Sequence, residues 1–572
     1  MDESENRKGK IVLNVVIFIF LILINLIVIM SKNVSNLDEI WNYNMANQIA
    51  RGLIPYKEIS MVMTPFSQFL IAPILLIFNS VFTFRIAGTI LATLISFIAY
   101  DIIKKITQNR MIAFIFVLIG EFLLYNLFTY DYNFLCLLLG EIALDLEVTK
   151  YLKRRQNFED MINYGSIYRK AEKKTFSERH QYINYDIAIG LISGLAICTK
   201  QTVGFFMALV VLLTAILERK FVAVSKNKKK SKDQNEKVEE TELNKSEDEL
   251  YINTSENKDF KRKKINSIIA RVISIAVPCV LLLIYLIITH SIKDFISYTI
   301  LGIKEFTNTV SYWHLIEEGG SPLLSILAVV LPAYLFFAIV FLIVGDKDRT
   351  INNVLKILVL YSLPLLILIY PIADKMHFLL GIYILMISIP FSIKFSARDM
   401  FSKMKGNVKE TINSTAAIIL FLVFIVLLGK NVGESASLLI SHRERICNCK
   451  VNHLQCLYIE DYLKNRIEDT NKKVEELKST GAEVYILDSE AAIYNIIKDE
   501  YYKDYDMFNR GNFGENGEER IMNNIKNSHN TYYLVRNPEI GLNWQTPKSI
   551  VEEIRTYQLK GRVGLFDIYY KE

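Results

Sequence analysis

The chain has 572 residues, 51% of them apolar and 22% charged, with 66 Lys and Arg against 60 Asp and Glu. Positive mean hydropathy at that charge content requires long apolar runs set between charged segments, and several runs reach the ~18–20 residues of a membrane span, which excludes an ordinary water-soluble globule. The net charge of +6 is modest and suggests no nucleic-acid partner; six cysteines are too few for a disulfide framework, and Cys136, Cys198 and Cys279 lie within apolar runs as packing residues.

The first run, Ile11 to Met30, is too long for a signal-peptide core and has no small-residue cleavage site after it, so it reads as a retained span. The stretch Lys32 to Asn79 follows. Its acidic pair, Asp38 and Glu39, opens a helix that Ser35 or Asn36 caps, with both carboxylates in the first turn where the helix dipole favours them. Leu37, Trp41, Met45 and Ile49 form an apolar stripe flanked by Asp38 and Asn42. Gly52 ends this helix, and Pro55 lies just beyond. A second helix has Thr64 as cap and Pro65 at its first position, and its run to Phe78 is short for a span and broken by Pro73. Both helices are expected to lie on the membrane surface, apolar faces down. A carboxylate held there suits chemistry between a lipid-borne reagent and a partner in water; a capped amphipathic helix without chemistry explains the same residues.

The expected spans are 11–31, 83–103, 111–129, 132–148, 184–199, 202–217, 265–289, 322–344, 354–370, 377–393 and 413–429. Basic residues concentrate in alternate loops: Lys104, Lys105 and Arg110; Lys150 to Arg179; 218–264; Lys347 and Arg349; Lys394 to Lys409. The bias of Lys and Arg toward cytoplasmic loops places these inside, with the N-terminus, and the opposite loops outside. Segment 218–264 is low-complexity and highly charged and reads as a disordered cytoplasmic insert.

Beyond the last span the pattern becomes soluble-like. Helices are expected at Tyr458 to Lys478, Glu490 to Lys498 and Ser549 to Gln558, and strands at Val484 to Leu487, Thr531 to Val535 and Val563 to Tyr570. The chain thus divides into a membrane domain, 1–430, and an exterior α/β domain, 431–572. Cys447, Cys449, His453 and Cys456 cluster within the second; C-x-C-x3-H-x2-C matches no standard zinc spacing, and one disulfide plus a leftover thiol is expected.

Polar residues that stand out beside apolar runs all fall on the exterior side: Asp38 and Glu39; Asp131 in a tight turn; Lys200 and Gln201; Glu317, Glu318, Gly319 and Gly320 beside Trp313 and His314; and Asp374, Lys375 and His377. Together they are expected to converge on one cleft opening to the outer leaflet. Singly, each has another reading: Asp131 as a helix cap, Lys200 snorkelling to head groups, His377 as an interfacial histidine, Glu317 and Glu318 as solvated loop. Glu121, inside a span, needs a partner or a proton.

The acidic pair after the first span, the x-G-x-x-P-Y of Gly52, Pro55 and Tyr56, the Pro-led helix, Arg85 opening the second span, SGLAICTKQ around Lys200 and the late Pro…Asp…His turn resemble the integral-membrane glycosyltransferases of the GT-C fold. The branch resembled includes the dolichyl-phosphate-mannose protein mannosyltransferases and the bacterial aminoarabinose transferases, over residues 11–430. The resemblance implies about eleven transmembrane helices, surface helices in the first exterior loop and a multi-pass protein of the cell membrane. It implies inverting transfer of a sugar from a polyprenyl-phosphate carrier to an acceptor on the exterior face, in synthesis of a cell-envelope glycan or glycoconjugate. Asp38 corresponds to the family's first-loop carboxylate, a general base, with Glu39 and Asp131 beside it. Lys200 is the first candidate for the leaving phosphate, Arg51 and Arg85 the second. Asp374 and His377 would orient acceptor or metal, with a divalent cation as a possible cofactor. Aminoarabinose transferases carry a lysine where Thr64 stands, which shifts phosphate binding toward Lys200. Asn-, Lys- and Ile-rich usage suggests a bacterial carrier of the undecaprenyl type. A transporter or lipid flippase is the competing function, though no matching broken halves are visible in the sequence.

Overall fold

In the computed structural model the chain is described over residues 3–34, 37–163, 176–222, 245–305, 310–317, 322–344, 349–400, 406–542 and 546–572. The long helices of the bundle are α1 (Glu3–Met30), α4 (Val81–Thr107), α5 (Arg110–Leu123), α6 (Tyr132–Asn163), α7 (Phe176–Thr199), α8 (Gln201–Val222), α9 (Lys245–Ile288), α12 (Pro322–Val344), α13 (Arg349–Leu366), α14 (Lys375–Met400) and α15 (Gly406–Ser441). Between them lie α2 (Leu37–Ala50), α3 (Phe66–Leu75), α10 (Ile292–Ile296) and α11 (His314–Glu317). Each expected span falls on one of these helices. By length and apolar character seven of the described helices suffice to cross a membrane, while Gln201–Leu217 and Asn353–Ile369 are apolar but shorter.

The sequence explains where helices start and how closely they pack. Ser80 caps α4 by accepting from the Thr83 amide at 3.2 Å, and Asn109 caps α5 by accepting from Ile112 at 3.1 Å. Gly190 and Gly194, four apart on α7, let α9 approach closely. A Cβ on Gly190 would sit 2.8 Å from the Arg271 carbonyl oxygen, and one on Gly194 would sit 2.5 Å from that of Ile275. Beside this contact lies a fully enclosed ionic network. Arg271 donates to Asp186 at 2.7 Å and Glu147 at 3.1 Å, Lys150 donates to Asp186 at 2.6 Å, and Tyr361 donates to Glu147 at 2.9 Å. It joins α6, α7, α9 and α13 some 14 residues, or ~21 Å of helix, before Lys200.

The C-terminal domain contains α16 (Arg443–Cys447), α17 (Asp461–Lys478), β1 (Glu483–Leu487), α18 (Ala491–Ile496), α19 (Gly517–Asn527), β2 (Thr531–Arg536), α20 (Lys548–Ile554), β3 (Gln558–Val563) and β4 (Phe566–Lys571). Its sheet runs β1-β2-β4-β3, with β1 and β2 parallel and the other neighbours antiparallel. The domain sits on the end of the bundle that carries α2. Asp504 is the main anchor: its carboxylate accepts from Ser60 at 2.8 Å, Tyr298 at 2.6 Å and Arg520 at 2.6 Å. Lys503 adds bonds to the carbonyls of Tyr56 and Lys57, each 2.8 Å.

Several expectations need correction. Helix α2 does not lie on the membrane with one face down: every residue from Glu39 to Gln48 is buried, because the bundle and the C-terminal domain enclose it together, with Asn42 against Gln68 of α3 and Asn44 against Asp506. Trp41 and Met45 pack with Tyr56, Met61, Leu286 and Tyr298. Thr64 caps nothing; its hydroxyl donates to the Ile197 carbonyl at 2.7 Å, and α3 begins at Phe66 after Pro65. Helix α3 does show an outward apolar face, with Leu70 and Ile74 about half exposed. Gly52 ends the α2 segment in the left-handed region, φ +94°, as expected. The caps Ser35 and Asn36, the loop residues Glu318, Gly319 and Gly320, and residues 223–244 of the insert lie outside the described residues; 245–264 is the helical start of α9. Helix α15 continues to Ser441, so the expected domain boundary at 430 falls within it. The last strand is a hairpin of β3 and β4, and α19 was not anticipated. Cys447, Cys449 and Cys456 are free thiols; Cys449 donates to the Leu454 carbonyl instead of pairing, and His453 turns inward.

Candidate active site

Five of the expected site residues meet at the α2 end of the bundle. Asp38 lies in the first turn of α2, and its carbonyl accepts from Asn42 at 2.8 Å. Asn42 in turn accepts from Gln68 of α3 at 3.1 Å, which fixes the two helices of the first loop to each other. Asp131 begins α6, where its carboxylate accepts from the amides of Asn133 and Phe134, so the capping reading holds. Lys200 joins α7 to α8; its ammonium donates to Asn133 Oδ1 at 2.8 Å and lies 5.1 Å from the centre of the Tyr132 ring. Trp41 of α2 meets the same ring edge-on, centres 6.4 Å apart. Asp374 caps α14 by accepting from the His377 amide at 2.8 Å and contacts its ring Nδ1 at 2.9 Å. Gln201 ties the lysine's turn to the Val62 and Thr299 carbonyls, both at 3.1 Å. The segment at Val310 bonds to both sides of the loop before α14, through Pro371 and Ala373.

The charges of this group act on one another. Asp38 and Lys200 keep some accessible surface yet lie deep among protein atoms. Burial raises the Asp38 pKa, and nearby His377 and Lys200 hold it down in part while Asp374 pushes it up. Burial likewise pushes Asp131 up to about 7, with amide bonds and His377 opposing. Lys200 is lowered by burial against the pull of Asp131 and Asp38. For Asp374 burial works upward, but the hydrogen bonds and charge of His377 outweigh it, and the carboxyl sits below the usual range. The cluster therefore holds a carboxylate made more basic than normal near an ammonium made more acidic than normal; the first favours accepting a proton, and the second can stabilise an anion while it keeps its own proton.

The other expected residues lie elsewhere. Glu39 and Arg85 bind each other through two bonds of 2.8 and 2.9 Å, with side chains 3% and 0% exposed, and Arg85 also donates to the carbonyls of Lys32 and Asn33. Arg51 turns to the C-terminal domain, donating to the Asp499 carbonyl at 2.6 Å. Glu121 is held by Asn25 at 3.0 Å and Ser96 at 2.6 Å, which supplies the partner that sequence left unnamed. Among the described residues no three His, Cys, Asp or Glu side chains stand together as a metal site. Tyr132 and Asn133 were missed as site residues, although they directly follow Asp131; the signal was an aromatic and an amide in a turn between two spans.

No family model matches the chain, and no curated protein matches it. Among solved structures it is similar to the oligosaccharyltransferase of Archaeoglobus fulgidus tethered with an acceptor peptide containing the NVT sequon, at 10% identity and TM-score 0.49, covering 91% of this chain and 69% of that one. It is also similar to ArnT from Cupriavidus metallidurans bound to undecaprenyl phosphate, at 10% identity and TM-score 0.44, covering 98% of both chains.

Proposed function

We propose that the chain is a membrane glycosyltransferase that moves a sugar from a polyprenyl-phosphate carrier to an acceptor hydroxyl at the exterior face, with inversion, in synthesis of a cell-envelope glycan or glycoconjugate. The observation that carries the reading is the meeting of Asp38 and Lys200, 162 residues apart in sequence, in one group of interacting charges at the end of the bundle where the soluble domain sits. Lys104 and Lys105 at the far end of α4, with Arg110 at the start of α5, support placing this end outside.

In the reaction, Asp38 takes the proton of the acceptor hydroxyl as its oxygen bonds to the anomeric carbon. The bond from that carbon to the phosphate oxygen breaks on the opposite face, and the phosphate leaves with the electron pair. The donor phosphodiester carries one negative charge and the departing monoester two, so charge develops where Lys200 stands. Asp374 fixes the ring of His377 toward the cluster through its contact at 2.9 Å. Asp38→Asn in membranes, assayed by transfer from a labelled lipid carrier, is expected to lose ~10²–10⁴-fold in rate. Wild-type turnover in that variant removes the reading.

A further inference from the structure

We propose that the C-terminal domain positions the helix carrying Asp38, through a polar clasp in which Asp506 holds Asn44 and His453 holds Tyr43. This deepens the function proposed above and rests on it.

Helix α2 is gripped from two sides. On the bundle side Glu39 binds Arg85 and Asn42 binds Gln68. On the domain side Asn44 donates to Asp506 Oδ2 at 2.8 Å, while Asp506 Oδ1 accepts from Asn495 at 2.6 Å and from the Tyr502 amide at 3.1 Å. A buried carboxylate is tolerable only when its oxygens are hydrogen-bonded, and one of these three donors belongs to α2. The neighbouring residue repeats the arrangement. The Tyr43 hydroxyl is 2.6 Å from His453 Nδ1 and donates to Asn79 at 2.7 Å, and His453 Nε2 is 2.9 Å from Asp499. Asp499 also faces Arg51, just past the C-terminal end of α2, at 3.9 Å. Tyr43 is fully buried, and Asn44, Asp506 and His453 are each less than 5% exposed. Asp38 precedes Asn44 by six residues in one rigid helix, ~9 Å along its axis. A shift of the domain therefore moves the carboxylate, and a misplacement of about 1 Å costs on the order of 10²-fold in rate.

The test reverses one bond. Asp506→Asn keeps the acceptor used by Asn495 and Tyr502 but turns an amide NH2 against that of Asn44, donor to donor. N44D/D506N restores one donor facing one acceptor with the polarity exchanged, and position 44 still accepts from Gln48, now at 3.0 Å. In the full chain in vesicles at about pH 8, where Asp506 has lost its proton, D506N is expected to lower kcat ~10- to 100-fold with donor KM within about twofold, and the double variant to recover at least about tenfold of that loss. Unchanged kcat in D506N, a change in KM alone, or no recovery in the double variant overturns the proposal. If D506N does not accumulate, Tyr43→Phe, which keeps the ring and removes the hydroxyl, is expected to lower kcat about fivefold or more with donor KM unchanged; wild-type kcat there overturns it equally. Should the wild-type protein transfer no sugar, the reaction proposed above fails while the clasp is read separately by amide exchange over residues 37–50. Faster exchange in D506N, restored in N44D/D506N, supports the clasp, and unchanged exchange sinks it.

Discussion

Replacing Lys200 by Gln tests the electrostatic half of the proposed reaction. The variant keeps an amide able to donate to Asn133, now bonded at 2.8 Å, and the aromatic wall of Tyr132, but removes the charge. Two unit charges about 4 Å apart interact by ~4 kcal/mol at an effective dielectric of about 20. Losing one such stabiliser of developing charge costs ~10²–10³ in kcat. The cation–ring contact, worth ~0.5–2 kcal/mol, is too small to account for such a loss. Because the bound donor already carries one negative charge, KM rises as well, but by less than kcat falls. The pH profile adds a second readout. Burial lowers the Lys200 pKa, so the wild-type rate declines on the alkaline side nearer neutrality than an ordinary lysine would cause, as the ammonium loses its proton. The raised pKa of Asp38 sets the acidic limb, where the base becomes protonated. K200Q should keep the acidic limb and lose the alkaline one. Transfer from a labelled polyprenyl-phosphate sugar in vesicles, followed across pH, measures both. A kcat within threefold of wild type, with the alkaline limb still present, refutes the assignment.

Arg85→Met leaves Glu39 buried without its cation and is expected to destabilise by about 3–5 kcal/mol, seen as a lower unfolding midpoint in detergent; E39L/R85M should recover much of that loss. Gly194→Val forces α7 from α9, where a Cβ would meet the Ile275 carbonyl oxygen at 2.5 Å, and should lower the midpoint and the yield of folded protein, whereas Gly429→Ala, where a Cβ meets nothing, should leave the midpoint within about a degree on a ~0.5 kcal/mol scale. Asp506 holds its proton up to about pH 7 in the folded chain because it is buried, while the unfolded chain releases it near the ordinary value of 3.8. Folded protein thus binds the extra proton between those values, its stability falls as pH rises through about 7, and D506N should flatten that slope in pH-dependent unfolding.

The apolar runs made the helices legible, because burial in lipid demands continuous apolar length and leaves few alternatives. In the soluble domain the strands at Val484 and Thr531 were equally plain. The first loop was not. The spacing of Leu37, Trp41, Met45 and Ile49 shows one apolar stripe, and an isolated sequence offers no reason to cover the other side. Asn44, Asn47 and Gln48 are hydrophilic residues that nonetheless lie buried, and Asn44 finds its partner, Asp506, in a domain more than 400 residues later. Glu39 and Asp38 are also indistinguishable by type and position. Only the arrival of Arg85 from α4 separates a structural carboxylate from one left in the charged cluster.

That separation extends to the whole molecule and argues for the site independently of the resemblance. At the far end of the bundle, Arg271 and Lys150 each bond directly to a carboxylate, so their charges are largely cancelled at contact distance. Arg85 is neutralised in the same way by Glu39. Lys200 is held differently. Its direct partners are a neutral amide and an aromatic face, and the carboxylates of Asp38 and Asp131 act on it only from further away. A cation placed among protein atoms without a carboxylate at hydrogen-bond distance is poorly compensated in the resting chain, and its stabilisation is completed by an incoming anion. Packing alone gives no reason to retain such an arrangement, since an apolar residue of similar volume would cost less. If Lys200→Met raises the unfolding midpoint while abolishing transfer, the lysine is held there for the anion it meets. If the midpoint falls by several degrees, the lysine is structural and the distinction drawn between the two ends of the bundle does not hold.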